Sequence, residues 1–392
     1  MNGNQTTVLV TLTGRDRPGV TYRLFSALAA HRLSVLDMEQ VVIRGHLVLG
    51  VLLADDGAPD LTALHREITG VAADLGMQAE ITLGSRESAR RRGQLHITVL
   101  GRPLEPAVIA AIAGRISASG ANIDRIGRLA RQPVTCIELD VSGVSDPAPL
   151  RQDLARGAAE HGIDVAVQRA GLHRRAPRLI IMDVDSTLVQ DEVIDLLAVR
   201  AGCADGVAKV TAAAMRGELD FAASLRERVA LLAGLDAAVL DEVRAGLRLT
   251  AGARTLIGTL TGLGYRFGLV SGGFVQVIEP LAAELGIGYV AANVLEILGG
   301  KLTGRLAGPV IDRAGKAAAL RRFAADAGVP LSQTVAVGDG ANDLDMIAAA
   351  GLGIAFNAKP VVRDAADTSV SVPYLDAILY LLGISSDDVA AR

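Results

Sequence analysis

The chain has 392 residues, 50% of them hydrophobic and 21% charged, with 39 basic against 43 acidic residues for a formal charge of −4. That length suggests two or three domains of roughly 150 residues each, and so high an apolar content at low net charge excludes a disordered chain. The slight acidity argues against a nucleic-acid partner, and no apolar run reaches the roughly 18 residues of a membrane span. Two distant cysteines, Cys136 and Cys203, exclude a disulfide framework and a zinc module. The polar start, Met1 to Thr7, has no signal-peptide character, so the expected compartment is the cytoplasm.

The first expected strand is the alternating stretch Val8 to Leu12, followed by a helix with Tyr22, Phe25, Leu28 and Ala29 at helical spacing. The apolar run Leu47 to Leu53 is a further strand. This pattern then repeats: Val8-Leu9-Val10-Thr11-Leu12-Thr13-Gly14 is similar to His96-Ile97-Thr98-Val99-Leu100-Gly101, with Gly14 and Gly101 in register. The same offset carries Asp37 onto Asp124. Ile97 to Leu100, Ile109 to Ile116 and Cys136 to Val141 mark the second copy. Each copy reads βαββαβ, which predicts an antiparallel sheet with two helices on one face. Two arginine-rich stretches, Ser85 to Gln94 and His173 to Arg178, have no aromatics on which bases could stack and read as solvated linkers.

The twin unit resembles the ACT domain, a small amino-acid-sensing module, most closely at Gly14-Arg15-Asp16-Arg17-Pro18-Gly19. The resemblance implies that Gly14, Asp16, Pro18 and Gly19 help hold a regulatory amino acid, serine by expectation, often across a dimer interface. It also implies a homodimer or higher homo-oligomer. The second copy has Gly101-Arg102-Pro103-Leu104-Glu105-Pro106, without the Asp and the second Gly. A tight turn on a dimerisation scaffold is the alternative reading of the same glycines.

From Leu179 the pattern changes to short, continuously apolar runs separated by helical stretches, as in a parallel sheet covered on both faces. Leu179-Ile180-Ile181-Met182 ends in Asp183-Val184-Asp185-Ser186-Thr187, and Tyr265 to Val270 ends in Ser271-Gly272-Gly273. Thr334 to Val337 ends in Gly338-Asp339-Gly340-Ala341-Asn342-Asp343. In a doubly wound sheet, ligands sit beyond the carboxyl ends of the strands, so three polar clusters converge on one crevice. Asp183, Asp185 and Asp339 together would repel one another unless a Mg²⁺ ion, which favours oxygen ligands, lay between them. Lys316, the Ser271 hydroxyl and glycine-exposed amides offer donors to a phosphoryl group. A carboxylate facing phosphorus under those conditions can form an aspartyl-phosphate.

These four clusters, in this order, resemble the motifs of the haloacid dehalogenase superfamily. The resemblance implies that Asp183 is the nucleophile and Asp185 the general acid and base. It further implies that Asp183, Asp185 (through its backbone carbonyl), Asp339 and Asp343 surround Mg²⁺, while Ser271, Gly272, Lys316 and Asn342 hold the phosphoryl group.

Between the first two motifs, Glu192 opens a helical stretch and Arg228 shares an apolar face with Phe221 and Leu225. Glu192 could complement a helix dipole and Arg228 could snorkel from the edge of the stripe. Alternatively, both reach into a pocket, where the guanidinium clamps a carboxylate. Asp183 to Glu192, Met215 to Phe221 and Ser224 to Val229 closely resemble the phosphoserine phosphatase family. The resemblance implies that Glu192 binds a substrate ammonium and Arg228 its carboxylate, with Met215 and Phe221 shaping the pocket. The implied reaction is hydrolysis of O-phospho-L-serine to L-serine and phosphate, the last step of serine biosynthesis. The alternative is a phosphotransferase, or a phosphatase acting on another small phosphomonoester such as phosphohomoserine. The expected architecture is α/β. It comprises ACT-like domains at 1–84 and 94–170 and a haloacid dehalogenase-like domain at 178–392, with a helical cap at about 190–255.

Overall fold

A computed structural model describes residues 6–55, 60–85, 95–144, 146–171 and 178–390, and the chain divides into two compact units, 1–91 and 92–392. The two arginine-rich stretches fall almost entirely outside the described residues.

The first unit runs β1 (Thr6–Arg15), α1 (Val20–Leu28), β2 (Leu33–Ile43), β3 (His46–Asp55), α2 (Leu61–Leu75) and β4 (Gln78–Ser85). Its antiparallel sheet has the order β2-β3-β1-β4. The period of two decides what is buried: Val8, Val10 and Leu12 face the helices while Leu9 stays 39% exposed. The inward face of α1 is Val20, Leu24 and Leu28, one residue every turn. Of the expected face, Leu28 is buried and Phe25 packs against the same core, whereas Tyr22 is 76% exposed and Ala29 is an exposed C-cap. Gly14 lies in β1, where a Cβ would come 2.8 Å from Met77 Cγ, and Gly19 opens α1 at φ +92°. Both glycines therefore have backbone reasons to be there. Asp16 and Pro18 are exposed in the turn between them.

The second unit begins with the second copy of that pattern: β5 (Leu95–Gly101), α3 (Pro106–Ala118), β6 (Asn122–Ala130), β7 (Thr135–Ser142), α4 (Pro147–His161) and β8 (Asp164–Arg169). The sheet order β6-β7-β5-β8 reproduces the first copy strand for strand.

The rest of the unit is built on β9 (Leu179–Met182), β10 (Arg266–Phe274), β11 (Tyr289–Leu298), β12 (Lys301–Ala307), β13 (Thr334–Gly338), β14 (Leu352–Phe356) and β15 (Thr368–Val370). They form one sheet in the order β12-β11-β10-β9-β13-β14-β15, parallel except for the β11–β12 hairpin. Strand β9 is central and wholly buried. Ile180 and Met182 pack on one face with Leu256 and Leu260, while Leu179 and Ile181 pack on the other with Leu320 and Phe323. Helices α5 (Val193–Arg200), α6 (Ala204–Met215), α7 (Phe221–Ala230) and α8 (Val239–Gly246) form the cap, with a core that includes Val193, Leu197, Leu225 and Val229. Helices α9 (Ala253–Gly262), α10 (Val275–Glu284), α11 (Arg313–Ala327), α12 (Leu344–Ala349), α13 (Pro360–Ala365), α14 (Ala377–Leu381) and α15 (Ser386–Ala390) complete the body.

The second repeat does not stand apart from this body. Leu100, Ala130, Cys136 and Ala166, on the sheet face away from its own helices, share one buried cluster with Ile378, Leu379 and Leu381. Asp164 of β8 accepts bonds from Ser369 Oγ (2.6 Å), Ser371 N (2.7 Å) and Ser371 Oγ (2.9 Å), beside β15. Gln168 Nε2 donates to the Leu381 carbonyl at 2.6 Å.

Candidate active site

Strand register brings the expected motifs together. Met182 pairs with Leu269 on one side and Val337 on the other, so Asp183, Ser271 and Asp339 leave three adjacent strands at the same edge. The Asp183 amide donates to the Val337 carbonyl at 2.9 Å, extending that register by one residue. Strand β10 does not stop before Ser271-Gly272-Gly273. It continues to Phe274, with its pairing to β11 interrupted between Val270 and Phe274. That bulge turns the Ser271 hydroxyl toward the crevice, where it donates to Asp185 Oδ2 at 3.0 Å and accepts from the Gly273 amide at 2.8 Å.

After Asp183 the chain makes a tight turn in which Ser186 sits at φ +57°, a left-handed conformation rare for a residue with a Cβ. The turn aims two carboxylates differently. Asp183 points to Lys316, whose Nζ lies 2.9 Å from Asp183 Oδ2 and 2.7 Å from Asp343 Oδ1, all three groups being buried. Asp185 points to the cap, where its Oδ1 accepts the Val193 amide at 2.8 Å. The N-terminus of α5 is thus served by Asp185, and Glu192, in the capping position, makes no cap bond. Glu192 Oε1 accepts instead from Ser186 Oγ at 2.8 Å.

The electrostatics follow from burial. Burial, then the neighbouring Asp343, pushes the Asp183 carboxyl well above the usual carboxylate range against the pull of Lys316. Burial likewise raises Asp185 against the bonds from Val193 and Ser271. Asp339 is pushed up to about 6 by burial and then by Asp343. Glu192 is pushed up to about 7 by burial and then by Asp185. Burial opposes the charge on Lys316, but Asp183 and Asp343 overcome it and raise the ammonium.

Oxygens of Asp183, Asp339 and Asp343 lie within 4.8 Å of one another. Such a knot of hard oxygen donors, with two members held toward protonation, fits a divalent cation. The Asp185 carboxylate faces Ser271 and Val193 instead, which leaves its backbone carbonyl as the group available on that residue.

A cavity of about 540 Å³ joins these groups to the cap. Asp183, Asp185, Gly272, Gly273, Asp339 and Asn342 form its floor, and Phe221, Ser224, Leu225 and Arg228, on one face of α7, form its roof. Arg228 Nε donates to the Ser224 carbonyl at 3.4 Å, and its terminal nitrogens have no partner among the described residues. Burial lowers its pKa against the pull of Asp195 and Glu192. Gly272 lets the roof close: a Cβ there would lie 3.0 Å from Phe221 Cζ. Glu192 therefore lines the cavity with Arg228, and the cap brings opposite charges over the carboxylate floor. The Met215 side chain lies outside the described residues.

Four wall residues with polar side chains were not expected from the sequence: Arg313, Lys359, Thr211 and Ser224. Lys359 stands far from any motif and Arg313 lies one helical turn before Lys316, while Ser224 lies three residues after Phe221 and four before Arg228. Helical spacing alone could have found it.

Residues 180–348 match the haloacid dehalogenase-like hydrolase family, and residues 6–82 and 95–168 each match an ACT domain. A phosphoserine phosphatase of Streptomyces coelicolor is 59% identical over 396 residues, covering 100% of this chain and 96% of that one. The chain belongs to the phosphoserine phosphatase family. A second member, from Mycobacterium tuberculosis, is 53% identical over 98% of this chain and 95% of its own. Among solved structures, a substrate-bound phosphoserine phosphatase is 41% identical over 53% of this chain and 98% of that one, with a TM-score of 0.50. A probable phosphoserine phosphatase from Vibrio cholerae in unliganded form covers 78% of this chain and 91% of its own at 33% identity, with a TM-score of 0.59. Family membership thus spans both ACT repeats as well as the catalytic body. No helix among the described residues is long and apolar enough to cross a membrane.

Proposed function

We propose that the protein hydrolyses O-phospho-L-serine to L-serine and phosphate through an aspartyl-phosphate on Asp183, supplying serine at the end of its synthesis. One observation carries this reading: Glu192 and Arg228 face the same cavity as Asp183, whose carboxylate the buried Lys316 ammonium meets at 2.9 Å. A zwitterion with a phosphate tail needs an anion, a cation and a nucleophile in that arrangement.

In this reading an Asp183 oxygen attacks phosphorus and the bond from phosphorus to the serine oxygen breaks. Asp185, whose raised pKa suits an acid, gives its proton to the departing oxygen. As carboxylate it then takes a proton from the water that attacks the phosphoryl-Asp183. Lys316 balances charge on the transferring group, while the Ser271 hydroxyl, the Gly272 amide and Asn342 hold its oxygens. Asp183, Asp339 and Asp343, with the Asp185 carbonyl, would hold Mg²⁺, which when bound neutralises charge on the phosphoryl oxygens. Glu192 takes the ammonium, Arg228 the carboxylate, and Phe221 shapes the space between. A regulatory amino acid, serine by expectation, would act at the Gly14 to Gly19 turn, and the exposed apolar residues Leu9, Val48 and Leu83 of the first repeat favour self-association.

The test is phosphate release over a panel of phosphomonoesters, with and without Mg²⁺ and with homoserine as a competing acceptor. Phosphoserine should be the preferred ester. Arg228→Ala should lose at least about tenfold in kcat/KM on phosphoserine and little on phenyl phosphate. Equal activity on unrelated esters, or transfer to homoserine instead of release, would overturn the reading. Added L-serine should change the rate, and an unchanged response in Asp16→Ala would remove the regulatory part.

A further inference from the structure

Arg228 and Glu192 leave one feature of the cavity roof unexplained. Ser224 is 1% exposed, and its hydroxyl has no hydrogen-bond partner among the described residues. A buried hydroxyl without a partner is uncommon and points to a missing ligand. Ser224 lines the cavity, one helical turn before Arg228 on the same face of α7. Thr211 Oγ1, on α6 in the same wall, is also buried without a partner. The unmet demand therefore belongs to this side of the cavity and not to one side chain.

We infer that the Ser224 hydroxyl donates a hydrogen bond to the substrate carboxylate that Arg228 grips, and so contributes to selecting an amino-acid ester. This inference rests on the phosphoserine reading above. A guanidinium alone fixes a carboxylate in one plane, and a neighbouring hydroxyl on the same helix adds a second direction of contact. One side-chain torsion sets where that hydroxyl points. The empty site carries the hydroxyl at a cost to folding, because it satisfies nothing until substrate arrives.

That arrangement gives opposite signs in two measurements on the full chain. Ser224→Ala should raise the melting temperature of the substrate-free protein by about 2 °C. It should lower kcat/KM on phosphoserine about tenfold, mostly through KM, with phenyl phosphate unchanged within about twofold. Ser224→Cys keeps a polar atom but donates poorly, and should show the same loss on phosphoserine, which separates the donor from the space it fills. A loss shared by both esters, an unchanged phosphoserine KM, or a lowered melting temperature in Ser224→Ala would overturn the inference. A wild-type protein with no preference for phosphoserine over phenyl phosphate would instead defeat the reading on which it rests.

Discussion

Two carboxylates nine residues apart along the chain, Asp183 and Glu192, show how far position within one cavity separates chemistry. Asp183 is held by Lys316 at 2.9 Å, whereas Glu192 accepts a hydrogen bond from the Ser186 hydroxyl and is pushed up to about 7 by burial and then by Asp185. Ammonium recognition needs Glu192 as carboxylate, and a raised pKa means the free site is protonated below that value. KM for phosphoserine should therefore rise as pH falls through 7, by up to roughly tenfold per unit. The substrate phosphate titrates nearby, so the comparison is with Glu192→Gln, whose KM should be high and should lack that component between pH 5.5 and 7. Parallel profiles for the two proteins would show that Glu192 does not meet the ammonium. The types and order of these residues were legible in the sequence, because a motif names its own acids. Their partners were not: the bond between Asp185 and the Val193 amide exists only because Ser186 turns through φ +57°.

At the scale of elements, β9 to β15 were readable wherever burial on both faces left a continuous apolar run. Helix α1 was readable only in part. Of Tyr22, Phe25, Leu28 and Ala29, the structure turns Phe25 and Leu28 to the core and leaves Tyr22 and Ala29 exposed, because over nine residues several stripes fit equally well and only the sheet beneath selects Val20, Leu24 and Leu28. The course of β10 through Ser271-Gly272-Gly273 was also hidden, since glycines in a strand look like its end. Their reason is close approach. A Cβ at Gly273 would lie 2.9 Å from Asp185 Oδ2 and 3.0 Å from Ser271 Oγ. Gly273→Ala should displace both groups and cost about 10²-fold in kcat on phosphoserine and phenyl phosphate alike, with secondary structure by circular dichroism unchanged. A kcat within threefold of wild type would mean that the bulge tolerates a side chain.

For the whole molecule, sequence reading separated the chain into successive domains, and the second repeat departs from that picture. Nothing local marks Asp164 as a fastening or Leu100 and Cys136 as part of a distant core, because their partners lie more than 200 residues away along the chain. Residues 95–392 should melt in a single transition close to that of the intact chain, whereas residues 178–392 should melt at least about 10 °C lower or aggregate, having bared an apolar wall. Two separate transitions in 95–392 would show that the shared core does not couple the parts. Asp164→Ala, which removes the acceptor for three bonds, should destabilise the longer piece by about 2–4 kcal/mol.

The duplicated modules have in this way become specialists. In one, Leu9 and Val48 on the sheet face away from the helices are exposed, while the other has spent the corresponding face on a permanent neighbour. Swapping the two modules in a chimera would set a bulky, unmatched lining against Ile378 and Leu381 and strand an interior cysteine in water. Near-identical topology in a tandem pair does not make its copies interchangeable parts.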